Sequence, residues 1–203
     1  MSPGAMVPQT GFRATGVLIL VVGPSGAGKD SIIIAARRAF EARRDVVFPQ
    51  RIVTRKVDPE IEDHATVSMS DFEALEAGGA FAASWRAHGH AYGVPGSIGE
   101  DLSAGRVVVV NVSRGAIAGL RHRFSRVHVV HLSAASDVLA ARLRARGRET
   151  DSEIARRVAR AESAEIPAPP MSLLDNSGAL ADAVDGFLKV LAGYVPLAAG
   201  RSD

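Results

Sequence analysis

Six consecutive apolar residues, Val17 to Val22, stand between a polar opening with scattered Pro and Gly and a Gly-rich turn. A run of that length without alternation predicts a strand covered on both faces, the situation of a parallel sheet. Apolar positions then recur at helical spacing, at Ile32, Ile33, Ala36, Ala39 and Phe40, with arginines beside them, and predict a helix from Lys29 to Arg44. Two more apolar runs, Arg106 to Val112 and Val127 to Leu132, each precede a helical pattern, from about Gly115 and about Ser136. Strands alternating with helices in this way predict an α/β fold, a parallel sheet between helices. Residues 50–93 break the alternation, being polar, charged and dotted with Gly, and are expected to form an insertion that rises from the sheet and carries substrate contacts. The link from Arg146 to Asp151 contains Gly and is expected to act as a lid before a helix that starts near Ser152. Pro167, Pro169 and Pro170 end that helix, Leu173 to Asn176 reads as a short last strand, and Ala179 to Val195 as a last helix.

Composition narrows the class. A chain of 203 residues, 47% hydrophobic, fits a single domain with a real core, expected over 17–195 with loose tails at 1–16 and 196–203. Its 24 Lys and Arg nearly balance 22 Asp and Glu, so no whole-molecule field recruits nucleic acid, and any work done by cations is local. The absence of cysteine excludes disulfides, thiolate catalysis and Cys-based zinc sites, and fits a cytoplasmic setting. The run from Val17 to Val22 is too short for a signal core or a membrane span, so no membrane partner is expected. Oligomeric form is left open.

The chemistry begins at the turn. Gly23, Pro24, Ser25, Gly26, Ala27, Gly28 and Lys29 fit G-x-x-x-x-G-K, placed after a buried strand and before a helix as a phosphate-binding loop requires. Its glycines let backbone N–H groups curl inward as an anion nest, and the helix adds its positive end. Lys29 would reach the β and γ phosphates. The next position usually carries Ser or Thr to touch Mg²⁺, but here it is Asp30, followed by Ser31. Two negative charges about 4 Å apart repel by roughly 4 kcal/mol at an effective dielectric near 20, so a carboxylate beside a triphosphate calls for a cation between them. Asp30 is therefore expected to hold Mg²⁺, the more so because the run ending at Asn111 supplies no acid of its own.

Arg142 and Arg146 fall on one face of a predicted helix, and Arg144, Arg148, Arg156, Arg157 and Arg160 crowd the same region. Guanidinium groups on a closing segment can stabilise the charge spread during phosphoryl transfer. Which two do so is not decided by spacing, and a helix face paired with Glu149, Asp151 and Glu153 is the plain alternative. Arg51 and Arg55 bracket a short apolar run where an acceptor phosphate could be held. Trp85 and Tyr92 read as packing groups rather than base-stacking partners, and His88 with His90 lacks the further ligands of a metal site. His64 follows Glu62 and Asp63 in the insertion.

Taken together these residues resemble the guanylate-kinase-like proteins from about Val17 to Val190. The resemblance rests on the loop ending at Lys29, on Thr54-Arg55, on His88 to Gly93, and on Arg142-Leu-x-x-Arg146-Gly-x-Glu149 with Ile154 and Arg157. It implies a nucleoside-monophosphate-kinase-like fold, ATP as donor, Arg142, Arg146 and Arg157 as transfer arginines, and Asn176 near the adenine. Within that group the chain is similar to the ribose 1,5-bisphosphate phosphokinases of bacterial phosphonate breakdown. The details that carry this are Gly28-Lys-Asp-Ser31, Arg51-x-x-Thr-Arg55, Glu62-x-His64, Ser84-Trp85, Tyr92-Gly93 and Asn111-x-Ser113-Arg114, with Val112 departing from their Gly. This implies a phosphorylated sugar as acceptor, held by Arg51, Arg55, His64 and Tyr92. Guanylate kinase activity is the alternative, although Ala82, Ala83 and Ser84 leave no acid where guanine's N–H groups would need one. A non-catalytic interaction module would not need Gly23, Gly28 and Lys29.

Overall fold

A computed structural model describes residues 15–55, 64–87, 89–147, 149–163 and 168–195. Most of both tails, with Glu62, Asp63, His88, Arg148 and Pro167, lies outside the described residues.

The first unit is β1 (Val17–Val22), the loop after it and α1 (Lys29–Ala39). The helix ends five residues short of Arg44. The Phe40 N–H closes on the Ala36 carbonyl, and Arg43 turns to make two hydrogen bonds with Asp45, at 2.8 and 2.6 Å, as the chain enters β2 (Val46–Val47). Residues 51–95 then form a hairpin-based unit: β3 (Arg51–Val53), β4 (His64–Thr66), α2 (Met69–Ala77), β5 (Phe81–Ala87) and β6 (His90–Pro95). The chain returns through α3 (Ile98–Ser103), β7 (Val107–Asn111), a short 3-10 turn, α4 (Ile117–Arg123), β8 (Val127–Ser133), α5 (Ser136–Arg146), α6 (Asp151–Glu162), β9 (Met171–Asp175) and α7 (Leu180–Ala192).

The central sheet has the order β2-β7-β1-β8-β9, and every pairing in it is parallel. Because side chains alternate along a strand, β1 feeds two apolar layers. Leu18, Leu20 and Val22 face Ile98, Leu102 and Leu120, from α3 and α4; Val17, Ile19 and Val21 share the other layer with Ile32, Leu139, Phe187 and Leu191, from α1, α5 and α7. The expected α/β fold is thus a sheet covered by helices on both sides. The last helix stops before Val195, where the Tyr194 hydroxyl hydrogen-bonds His128 Nδ1 at 2.9 Å and ties the chain end to β8.

The second sheet has the order β4-β3-β6-β5 and is antiparallel except for β3 with β4. A register shift between Phe81 and Ala83 sends Phe81 toward α2, where its ring stacks on Phe72 with centroids 4.7 Å apart. Gly93 lies beneath that ring, and a Cβ there would come within 2.5 Å of it. Sequence pattern alone left this sheet undivided, since its strands are short and interrupted.

Phe187 on α7 is fully buried against the central sheet. Phe187→Ala should lower unfolding free energy by about 3–5 kcal/mol, through lost burial and an unfilled cavity. Urea denaturation should show a lower midpoint with an unchanged slope; a loss below about 1 kcal/mol would contradict this packing.

Candidate active site

Open parallel sheets place ligands at the carboxyl ends of their strands. Here β1, β7, β8 and β9 all end on one side, and a cleft of about 620 Å³ opens there toward the second sheet. Gly23, Ser25, Gly26, Gly28, Lys29 and Asp30 form one wall. Arg51, Arg55, Trp85, Ala87, His90 and Tyr92 form the opposite one, and Arg146, Glu149, Glu153 and Arg157 close a side.

The loop's shape depends on Gly28, which caps α1 at φ 91°. That left-handed conformation disfavours any residue with a Cβ. Contact is the second constraint: a Cβ on Gly28 would stand 2.5 Å from Nδ2 of Asn176. Asn176 is buried, and its Nδ2 donates to the Ala27 carbonyl at 2.8 Å. The residue expected beside an adenine therefore sits under the loop, because the chain leaving β9 passes directly beneath Ala27 and Gly28.

Lys29 Nζ donates to the carbonyls of Gly23 and Pro24, both at 2.8 Å. Burial pushes its ammonium down to about 8; Asp30 works against this, while Arg51, Arg146 and Arg114 add to it. The site thus stores an excess of positive charge around one lysine, as a polyanion site should. Asp30 Oδ1 accepts from Asn111 Nδ2 at 2.9 Å and lies 3.5 Å from Arg51 Nη2, so the first residue after the lysine joins the two sheets electrostatically. As a magnesium ligand Asp30 fits the ion's habit of taking one or two carboxylates together with substrate phosphates. No cluster of three or more acidic, His or Cys ligands occurs among the described residues.

The arginines divide by position. Arg146, the last residue of α5, and Arg157 on α6 face the cleft. Arg157 Nη1 donates to Ser25 Oγ at 3.1 Å and lies 3.2 Å from Glu149 Oε1. Arg142 does not border the cleft; its Nη1 meets the Gly26 carbonyl at 3.4 Å, behind the loop. His64 does not border the cleft either; it is buried on β4 beside Arg51, its partner in register. Ser31 is exposed on α1, away from the cleft lining.

Several lining groups were missed or misread in the sequence. Trp85 and Tyr92 face each other across β5 and β6 and line the cleft; the residues alone suggested packing for both, and the resemblance named only Tyr92 for the acceptor. His90 joins them, and Glu149 and Glu153, which the plain alternative paired with arginines in solvent, border the cleft beside Arg157. The alternation 83, 85, 87 was the available signal, but the shift after Phe81 conceals which face it marks.

A phosphate loop at the carboxyl edge of a parallel sheet, facing arginines from a second sheet and from two helices, defines a P-loop kinase. No protein-family model matches the chain. It is 42% identical to ribose 1,5-bisphosphate phosphokinase PhnN of Rhizobium etli over 189 residues, 93% of this chain and 96% of that protein. It is 54% identical to the protein of the same name from Acidiphilium cryptum over 147 residues, 72% and 78% of the two chains. The chain belongs to the ribose 1,5-bisphosphate phosphokinase family. Among solved structures, a guanylate kinase from Anaplasma phagocytophilum matches with a TM-score of 0.65 at 17% identity, covering 90% of this chain and 88% of that one, and so shares its fold. The protein is accordingly a nucleotide-using phosphotransferase rather than an interaction module. No helix among the described residues is long and apolar enough to cross a membrane.

Gly28→Ala should abolish nucleotide binding by displacing the loop from Asn176, at a stability cost of about 1–3 kcal/mol. Titration with a nucleotide triphosphate beside thermal unfolding checks both, and retained affinity would show that the loop does not need this approach.

Proposed function

We propose that the protein transfers the γ-phosphoryl group of ATP to the 1-phosphate of ribose 1,5-bisphosphate, giving 5-phosphoribosyl 1-diphosphate and ADP. The observation that carries this reading is the wall facing the phosphate loop, where Arg51 and Arg55 stand beside Tyr92 and Trp85 with no carboxylate among the described residues of that wall. Such a wall accepts a phosphorylated sugar, and its described residues include no acid to read guanine's donor edge. Glu76 on α2 does not border the cleft and is held by Arg86 at 3.0 and 2.6 Å and by Ser84 at 2.5 Å; these bonds keep its carboxyl down at about 2.

In this reading residues 51–95 are the acceptor unit and 142–157 the lid. The loop N–H groups and Lys29 hold the donor phosphates, and Arg51 and Arg55 orient the acceptor by charge-assisted hydrogen bonds. An oxygen of the 1-phosphate attacks the γ phosphorus, a new P–O bond forms, and the bond to the β-bridging oxygen breaks with ADP leaving. That oxygen is already anionic near neutral pH, so no protein base is required. Arg146 and Arg157 lie where charge develops on the transferring group and stabilise it. Arg142 serves them from behind, by bracing Gly26, and His64 supports the strand that carries Arg51. Asp30, with phosphate oxygens of the donor, would hold Mg²⁺, which when bound offsets phosphate charge. Asn176 contributes by fixing the loop. A cytoplasmic setting suits a substrate set of free nucleotide and sugar phosphate.

The decisive assay compares kcat/KM for ribose 1,5-bisphosphate and GMP at saturating Mg²⁺-ATP, with products identified by mass. The bisphosphate should be favoured by more than a hundredfold; faster turnover of GMP would replace this reading with guanylate kinase.

Lys29 gives a pH test. With its ammonium held down to about 8, the free protein loses that charge as pH rises through 8, while a bound polyphosphate restores it. Donor affinity should therefore fall above pH 8, and binding at pH 8 should take up about half a proton. Calorimetry in buffers of different ionisation enthalpy measures this uptake, and none at pH 8 would remove Lys29 from the phosphate contact.

A further inference from the structure

One face of the β5–β6 hairpin meets the cleft, and its largest feature is a pair of rings. Trp85 stands opposite Tyr92 in register, and the rings stack with centroids 5.5 Å apart and planes within 4° of parallel. Trp85 is also packed against the apolar layer that β1, α3 and α4 share, so the indole is backed by the core while bordering the cleft. Such a slab has few torsions to freeze and gives the cleft an apolar border. Arg51 and Arg55 share its wall. Apolar rings beside a pair of cations complement a ligand whose C–H face adjoins an anionic group. A furanose bearing phosphates has that form.

The opposite face of the same strand is committed elsewhere. Ser84 and Arg86 both bind Glu76, and the Arg86 guanidinium lies 5.2 Å from the centroid of the Phe72 ring. The strand therefore divides into a bracing face and a ligand face, and Trp85 dominates the second.

We propose that Trp85 is a specificity-determining residue whose indole, held parallel by Tyr92, bears on the C–H face of the acceptor's sugar ring and sets how far that ring extends from the two arginines, which lie on the far side of Tyr92. This rests on the acceptor reading given above. The contact recognises the sugar itself, independently of its phosphates, and it acts in the ground state as well as during transfer. Its loss should thus appear in KM for the acceptor more than in kcat.

Trp85 is the single tryptophan of the chain, which makes the contact directly observable. Without ATP, ribose 5-phosphate and ribose 1,5-bisphosphate should each change the indole emission saturably, while inorganic phosphate and glycerol 3-phosphate at equal occupancy should change it less than a third as much. Trp85→Ala should raise KM for ribose 1,5-bisphosphate more than tenfold, with kcat changed less than threefold and KM for ATP unaltered; Trp85→Phe should raise it less than fivefold. An equal emission response to inorganic phosphate, or a Trp85→Ala KM within twofold of the unsubstituted protein, would overturn the proposal. Should Trp85→Ala not fold, the emission series and Trp85→Phe decide it: a folded Trp85→Phe variant with KM for ribose 1,5-bisphosphate raised more than tenfold would also overturn it. If the unsubstituted protein prefers GMP, the acceptor reading itself fails and this contact fails with it; if it prefers the bisphosphate and the Trp85 variants keep normal KM, only the contact fails.

Discussion

The amide of Asn176 donates to the Ala27 carbonyl from inside the protein, beneath the phosphate loop, and leaves no room for a side chain at Gly28. Most of what surrounds the cleft depends on this close approach. It sets the height of the loop over the sheet, and through the loop it sets where α1 begins and where Lys29 emerges. It also joins the two ends of the fold, since β1 supplies the loop and the chain leaving β9 supplies the amide. Arg142 from α5 and Arg157 from α6 then fasten to Gly26 and Ser25, so these two helices are registered against the same few loop atoms. A loop held from below by one element and from the side by two others is rigid before any phosphate arrives, which is the condition for electrostatic preorganisation.

Charge is arranged with the same economy. Arg51, Arg146 and Arg114 all act against the ammonium of Lys29, and Asp30 acts for it. Asp30 is in turn shared with Asn111 and Arg51, so one carboxylate touches the loop, the central sheet and the second sheet. That sharing accounts for an acid following the lysine, where a hydroxyl is usual: the acid steadies a cationic cleft as well as suiting a metal. The surplus of positive charge that remains has a cost when the cleft is empty and is offset when polyanions fill it.

The β1–loop–α1 unit was readable from sequence because two periods meet there, a continuous apolar run and a helical repeat, with glycines between them. The parallel sheet followed from repetition of that pattern at 106–112 and 127–132. The second sheet was not readable in detail, since β3 and β4 have three residues each and their pairing spans residues distant in sequence. Local pattern carries little information about such contacts. The site shows the same division. Lys29, Arg146 and Arg157 were found by spacing and resemblance and do border the cleft. Arg142, His64 and Asn176 have the right residue types but do not line the cleft, Arg142 and Asn176 binding loop carbonyls and His64 lying buried beside Arg51, and only packing distinguishes a residue that touches the cleft from one that holds a neighbour in place. Trp85 was read as a core residue for a sound reason, since it is one on its inner side.

The hairpin of β5 and β6 carries a consequence for descent. Along β5, Ser84 and Arg86 tie the strand to Glu76, while Trp85 and Ala87 look into the cleft. Substitutions at the second set can alter the wall without untying the strand, and substitutions at the first can loosen the strand without altering the wall. A lineage built on this scaffold could exchange one acceptor for another through changes at every second position, keeping a folded protein at each step. The pleat of one strand, whose sides alternate by geometry alone, thereby separates the evolution of what is recognised from the upkeep of the frame that recognises it.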